Sequence, residues 1–161
     1  MTTETKTGLT NAEVLAKLAT AKSARDLELT MNIYHSDMVL EIPSFDAVAR
    51  GEKQLRALLE VFFGLFPDYA VSLNGSTEAA DGQIWVLGEI SVTLTPPPGF
   101  SDFQGHKPNG QRATVPAFLL CGFADERVSY ENFLIDFGTI CRTAGVPYEA
   151  VMATIKAKYE S

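Results

Sequence analysis

One acid lies where a change of local structure could put it to work. Asp136 sits between a run of mixed polar and apolar residues, Arg127 to Ile135, and a short helical pattern, Phe137 to Ala144. Ile135 and Phe137 flank it. Desolvation among apolar groups raises a carboxylate's pKa and makes it a better base near neutral pH. Such a base could remove a proton alpha to a carbonyl. A second role is open to the same residue, because Asp is a strong N-cap and a helix is predicted to begin at Phe137. The two roles are compatible. Asn132 and Tyr130 are candidates to hold a developing enolate by hydrogen bonding. Strand alternation puts Tyr130, Asn132, Leu134 and Asp136 on one face, with Glu131 on the other unless a bulge intervenes.

Other side chains could line a substrate site. Trp85 and Glu89 share a face of a strand predicted over Gln83 to Thr95, one as an apolar wall and one as a second carboxylate. Core or interface packing for Trp85 and solvation for Glu89 are the plainer alternatives. Phe118, in a strand predicted over Gln111 to Ala124, is a further substrate-binding candidate. Tyr34 and Phe62 fit the inner wall of a pocket and fit a packed core equally well. His106 lies in a loop rich in Gly and Pro, as part of a lid or simply exposed, and His35 follows a helical hairpin. Two histidines so far apart, with no HExxH, lead us to expect no metal site. The sequence has no GxGxxG, P-loop or GxSxG motif, so no nucleotide cofactor and no serine-hydrolase chemistry are expected.

These residues need a scaffold, and periodicity supplies one. Thr10 and Glu13 form a capping-box pattern, with Leu9 placed to staple onto Val14, so a helix is predicted to about Lys22. Ser23 and Asp26 restart a helix through Leu27 to Ile33, which His35-Ser36-Asp37 ends. Met38 to Pro43 reads as a strand and Ser44 to Gly51 as a connector or short strand. Leu55, Leu58, Leu59, Phe62, Phe63 and Phe66 recur at helical spacing in Glu52 to Phe66, and Pro67-Asp68 stops that helix. Four strands then follow in meander order, the first over Tyr69 to Glu78 and the last over Arg127 to Ile135. Gly145 fits a C-cap, and Pro147 starts a terminal helix with Val151, Met152, Ile155 and Tyr159 on one face. This order predicts an α+β fold in which a curved antiparallel sheet wraps around helices and encloses a pocket.

Composition narrows the partners. The chain has 161 residues, 46% hydrophobic and 20% charged, with a formal net charge of -7. It is long enough to bury a sizeable core, and we expect one domain over residues 9–161 behind a disordered tail, 1–8. The negative charge and the scattered basic residues argue against nucleic acid and anionic membranes. No signal-peptide pattern and no run of about 18 apolar residues occurs, so a cytoplasmic protein is expected. Cys121 and Cys141 are expected as buried free thiols.

Several stretches together resemble one family. Tyr34-His35-Ser36-Asp37-Met38-Val39, the helix from Gly51-Glu52 closed by Phe66-Pro67-Asp68, and the turn from Phe103 through Gly105, Pro108, Asn109 and Gly110 to Arg112 resemble the SnoaL-like polyketide cyclases of the nuclear-transport-factor-2-like superfamily. The final strand with Glu131 and Asp136, ending in Ala144-Gly145, fits the same pattern. The resemblance spans roughly residues 24–146. It implies a cone-shaped fold with an internal pocket, Asp136 as general acid/base, and no cofactor. The implied reaction on a hydrophobic carbonyl compound is aldol-type cyclisation, or a related isomerisation or lyase step. A homodimer formed through the exposed sheet face is also implied. The family's histidine before the Gly-rich loop has no counterpart in Gly88-Glu89-Ile90. The basic aspartate of ketosteroid isomerases is replaced by Ile42, before Pro43. A non-catalytic ligand-binding or dimerising domain is one alternative. Epoxide hydrolysis is another, and would need two carboxylates and an arginine around a water.

Overall fold

The computed structural model describes residues 8–160. The expected tail, residues 1–8, falls almost wholly outside them. The first helix, α1 (Asn11–Ser23), starts as its capping box predicts: the Thr10 side chain accepts from the Glu13 amide, and Glu13 accepts from the Thr10 amide. Its buried stripe is Val14, Leu15, Leu18, Ala21 and Lys22. Asp26 caps α2 (Leu27–Ile33) by accepting from the Leu29 amide. The strand β1 (Tyr34–Ile42) then begins at once, four residues earlier than alternation alone indicates. Pairing with a distant strand extends it there, with Tyr34 opposite Val128.

A 3-10 turn at Pro43–Phe45 leads into β2 (Ala47–Arg50) and the long helix α3 (Gly51–Leu65). Leu55, Leu58, Leu59 and Phe62 are buried on α3, as their spacing requires. Each such burial is worth ~1.5–3 kcal/mol relative to exposure. The meander is β3 (Ala70–Glu78), β4 (Ile84–Thr93), β5 (Arg112–Ala124) and β6 (Arg127–Ile135). Two helices finish the chain, α4 (Phe137–Ala144) and α5 (Tyr148–Tyr159). Gly145 closes α4 at φ 72°, a left-handed conformation that favours glycine.

The six strands form one curved sheet in the order β2-β1-β6-β5-β4-β3. Neighbours are antiparallel except at the β1–β6 seam, which is parallel. That seam joins the first long strand to the last, so the helical hairpin lies against the end of the meander. On β4, Ile84, Val86, Ile90 and Val92 face the core, while Trp85, Leu87 and Glu89 face outward and are exposed. Among the described residues, no helix is long and apolar enough to cross a membrane.

Candidate functional site

Among the described residues, the one fully buried acid lies on the inner face of β6. Register explains why. Gly122 of β5 pairs with Tyr130, but Phe123 pairs with Val128, so Ser129 is an extra residue on β6. Beyond that bulge, Glu131, Phe133 and Ile135 point inward, while Tyr130, Asn132 and Leu134 point outward.

Glu131 is 0% exposed, and its carboxylate binds two donors. Lys22 Nζ, from the last turn of α1, donates to Oε1 at 2.5 Å. The Tyr34 hydroxyl, from the start of β1, donates to Oε2 at 2.8 Å. Lys22 Nζ also lies 5.8 Å from the centre of the Tyr34 ring and 5.5 Å from that of Phe133. Burial and the neighbouring Glu131 charge push the Tyr34 hydroxyl well above its ordinary pKa. The same causes raise the Tyr69 hydroxyl and the Cys121 thiol, so both stay protonated and inert as nucleophiles at neutral pH.

Buried ion pairs incur a large desolvation penalty and are weak contributors to stability. Three polar groups converging inside an otherwise apolar cone therefore mark a candidate site. A cleft of about 10 Å³ reaches Lys22 between Leu15 and Leu18 of α1 on one side and Tyr69 with Val71 and Leu73 of β3 on the other. The far end of the cone is packed with aromatic rings. Phe62 touches Phe45, Phe66, Tyr69 and Phe133, and Phe45 meets the Phe137 ring edge-on at 4.7 Å.

Asp136 lies elsewhere. Ile135 and Phe137 turn into the core, and the acid between them turns out to solvent. Its Oδ1 accepts from the Thr139 amide at 3.0 Å and its Oδ2 from the Thr139 hydroxyl at 2.6 Å. Arg142 donates in turn to that hydroxyl. The expected burial and raised pKa are thus corrected: the Thr139 hydrogen bonds, with help from Arg142, hold the Asp136 carboxyl below its ordinary value. Apolar neighbours in sequence did not become apolar neighbours in space, because side chains alternate. As a cap, Asp136 has a measurable signature. Asp136→Ala should cost about 0.5–2 kcal/mol in urea unfolding, and Asp136→Asn much less. Because the folded pKa is depressed, the wild-type advantage over Asn is present above the ordinary carboxylate range and lost as pH falls through the folded value.

Asn132 and Tyr130 do not meet Asp136. They converge on Glu41 across the seam: the Tyr130 hydroxyl donates to Glu41 Oε2 at 2.9 Å, and Asn132 Nδ2 donates to the same oxygen at 3.1 Å. Asn132 Oδ1 is buried without a hydrogen-bond partner. Trp85 and Phe118 meet on the outer face as tilted rings with centres 5.5 Å apart, and Glu89 is exposed on that face. The site residues expected from sequence are therefore split by the sheet. Tyr34 and Phe62 lie inside, while Trp85, Glu89, Phe118, Tyr130 and Asn132 lie outside. Those five cannot share a pocket with the first two. His106 is exposed, in a tight turn whose backbone bonds run to Phe103.

Lys22 was not among the expected site residues, and Glu131 was expected only on the face opposite Tyr130 and Asn132; both carry a signal. Lys22 continues the Leu15–Leu18 stripe at i+4 from Leu18, a charged residue on an apolar face. Glu131 alternates with Phe133 and Ile135.

The helices under a bent sheet give this chain the fold of nuclear-transport-factor-2-like and ketosteroid-isomerase-like proteins. The family model for the SnoaL-like domain matches residues 15–131, and the chain belongs to that family. Solved structures agree on the fold. A ketosteroid-isomerase-like protein from Catenulispora acidiphila, in complex with trimethylamine, superposes with a TM-score of 0.71 at 13% identity, covering 88% of this chain and 98% of the other. A protein from Jannaschia sp. CCS1 assigned as a SnoaL-like polyketide cyclase gives 0.71 at 19% identity, covering 91% and 99%. A cystatin-fold protein from Novosphingobium aromaticivorans gives 0.58 at 16% identity, covering 78% and 98%. No curated relative matches the chain.

Proposed function

We propose that the chain is a cofactor-independent enzyme of the SnoaL-like type, acting by acid/base chemistry on a small hydrophobic carbonyl compound. The observation that carries this reading is the Lys22–Glu131–Tyr34 cluster inside the cone. Glu131 is the base that takes a proton alpha to the carbonyl. The Lys22 ammonium and the Tyr34 hydroxyl donate to the enolate oxygen as charge develops there. In an aldol-type ring closure, the enolate carbon attacks a second carbonyl of the same molecule. The proton held by Glu131 then returns to the new alkoxide. The walls beside Lys22, from Leu15 to Leu73, exclude water and favour an apolar substrate. A substrate larger than this cleft requires the wall residue Leu73, 36% exposed on the edge strand β3, to move aside. Relative to the resemblance, the working acid moves from Asp136, which caps a helix, to Glu131 five positions earlier.

The test is a thermal-shift screen of polycyclic ketones and lactones against wild type and Glu131→Gln, with turnover measured for every stabilising hit. Hits that are converted only by the wild type support the enzyme. Hits that stabilise both proteins without turnover sink it in favour of a carrier.

We also propose a homodimer through the outer sheet face. Leu87, Phe118 and Leu134 stand side by side across three strands, with Trp85 adjacent and all four exposed. Exposed apolar clusters of this kind mark interaction surfaces. Phe118→Lys, at the centre of that row, should weaken the dimer about 30-fold or more. Sedimentation equilibrium reads this directly, and a wild type that is monomeric at tens of micromolar ends the proposal.

A further inference from the structure

A separate cavity of about 430 Å³ is lined by the 3-10 turn, β2, α3 and α5. Its floor is Phe45, Leu58 and Ile155, all buried and none with a hydrogen-bonding side chain. Its walls include Val48, Met152 and the ring of Tyr159. Charges stand only at the mouth, where the carboxylates of Asp46 and Glu160 outnumber the single ammonium of Lys156. Lys156 and Glu160 form an exposed pair at 3.9 Å, which solvent screens strongly.

We propose that this cavity is a second binding site, specific for a compact apolar amine. The volume lies within the range of small-molecule sites and is too confined for a peptide. The floor offers only dispersion and apolar burial, so the body of the ligand is a hydrocarbon or ring system. The excess of carboxylates at the mouth selects a cation there and repels an anion. The Tyr159 ring adds a face on which an ammonium group is stabilised. Phe45 belongs both to this floor and to the aromatic packing that fills the far end of the cone. Occupancy therefore stiffens the 3-10 turn that holds the end of β6, where the Ser44 hydroxyl donates to the Ile135 carbonyl. The site does not depend on the role of Glu131.

The chain's methionines provide the test. It has four, of which Met152 lines the cavity and Met38 is fully buried in β1. With [methyl-13C]methionine labelling, titration with 2-naphthylmethylammonium should shift the Met152 methyl signal saturably and leave Met38 in place. The same ring bearing a carboxylate, 2-naphthoate, should bind at least about tenfold more weakly. Val48→Trp, at a position 49% exposed, fills the cavity while retaining the reporter and should abolish the Met152 shift. The proposal is overturned if the Met152 signal stays still at millimolar amine, or if naphthoate binds as tightly. A response at Met38 instead of Met152, or unchanged binding by a folded Val48→Trp variant, also overturns it.

Discussion

Lys22→Met destabilises the fold by about 3–5 kcal/mol, a large effect for one methionine at the end of a helix. The loss comes from what remains behind. Glu131 keeps its full burial but loses the ammonium at 2.5 Å, with only the Tyr34 hydroxyl left to satisfy it. An unpaired buried carboxylate is far costlier than a missing surface ion pair. The apolar replacement of the whole cluster, Lys22→Met with Glu131→Leu and Tyr34→Phe, returns stability to the wild-type level or above, because no charge or hydroxyl is then desolvated. Urea unfolding checks both expectations, with the midpoint moving and the slope unchanged. A Lys22→Met loss below about 1 kcal/mol would mean that water reaches the pair, and would remove the basis for treating it as a buried site.

Glu131→Gln lowers turnover by about 10²- to 10⁴-fold, the usual contribution of a positioned general base. Glutamine keeps the side-chain length and an acceptor for Tyr34, but it cannot take the alpha proton. The apolar triple variant separates chemistry from folding, since it should be fully folded and inactive. Asp136→Asn should leave the rate within a few-fold of wild type, because its carboxylate is committed to Thr139. A Glu131→Gln enzyme of near wild-type rate, or loss of the rate in Asp136→Asn, would return the acid/base role to the rim of the cone.

Local rules made much of this architecture legible. The Thr10–Glu13 box, the apolar stripe of α3 and the Gly145 cap are each decided within a few residues, and each matches the structure. The start of β1 is not decided locally. Tyr34 to Asp37 read as the end of a helix until β6 pairs alongside it. The site failed in the same way. Alternation correctly placed Glu131 opposite Tyr130 and Asn132, but it does not say which face of a strand is concave. Asp136 drew attention through its apolar neighbours, whereas burial follows direction in space. Lys22 carries no decisive local mark of burial, because a lysine near a helix C-terminus is equally well placed for the dipole.

The parallel seam between β1 and β6 also orders events in time. Lys22 and Glu131 are 109 residues apart, and Tyr34 and Glu131 are 97 apart. Joining such distant segments carries a closure entropy that adjacent hairpins avoid. The β3–β6 meander can assemble while Glu131 is still hydrated, and desolvation falls on the last step, when α1 docks. That step works as a checkpoint, because a chain that lacks the lysine but keeps the buried carboxylate docks the helix and releases it faster. Stopped-flow kinetics should therefore show Lys22→Met folding at nearly the wild-type rate and unfolding about 10²- to 10⁴-fold faster. Comparable slowing of the folding arm would place helix docking early.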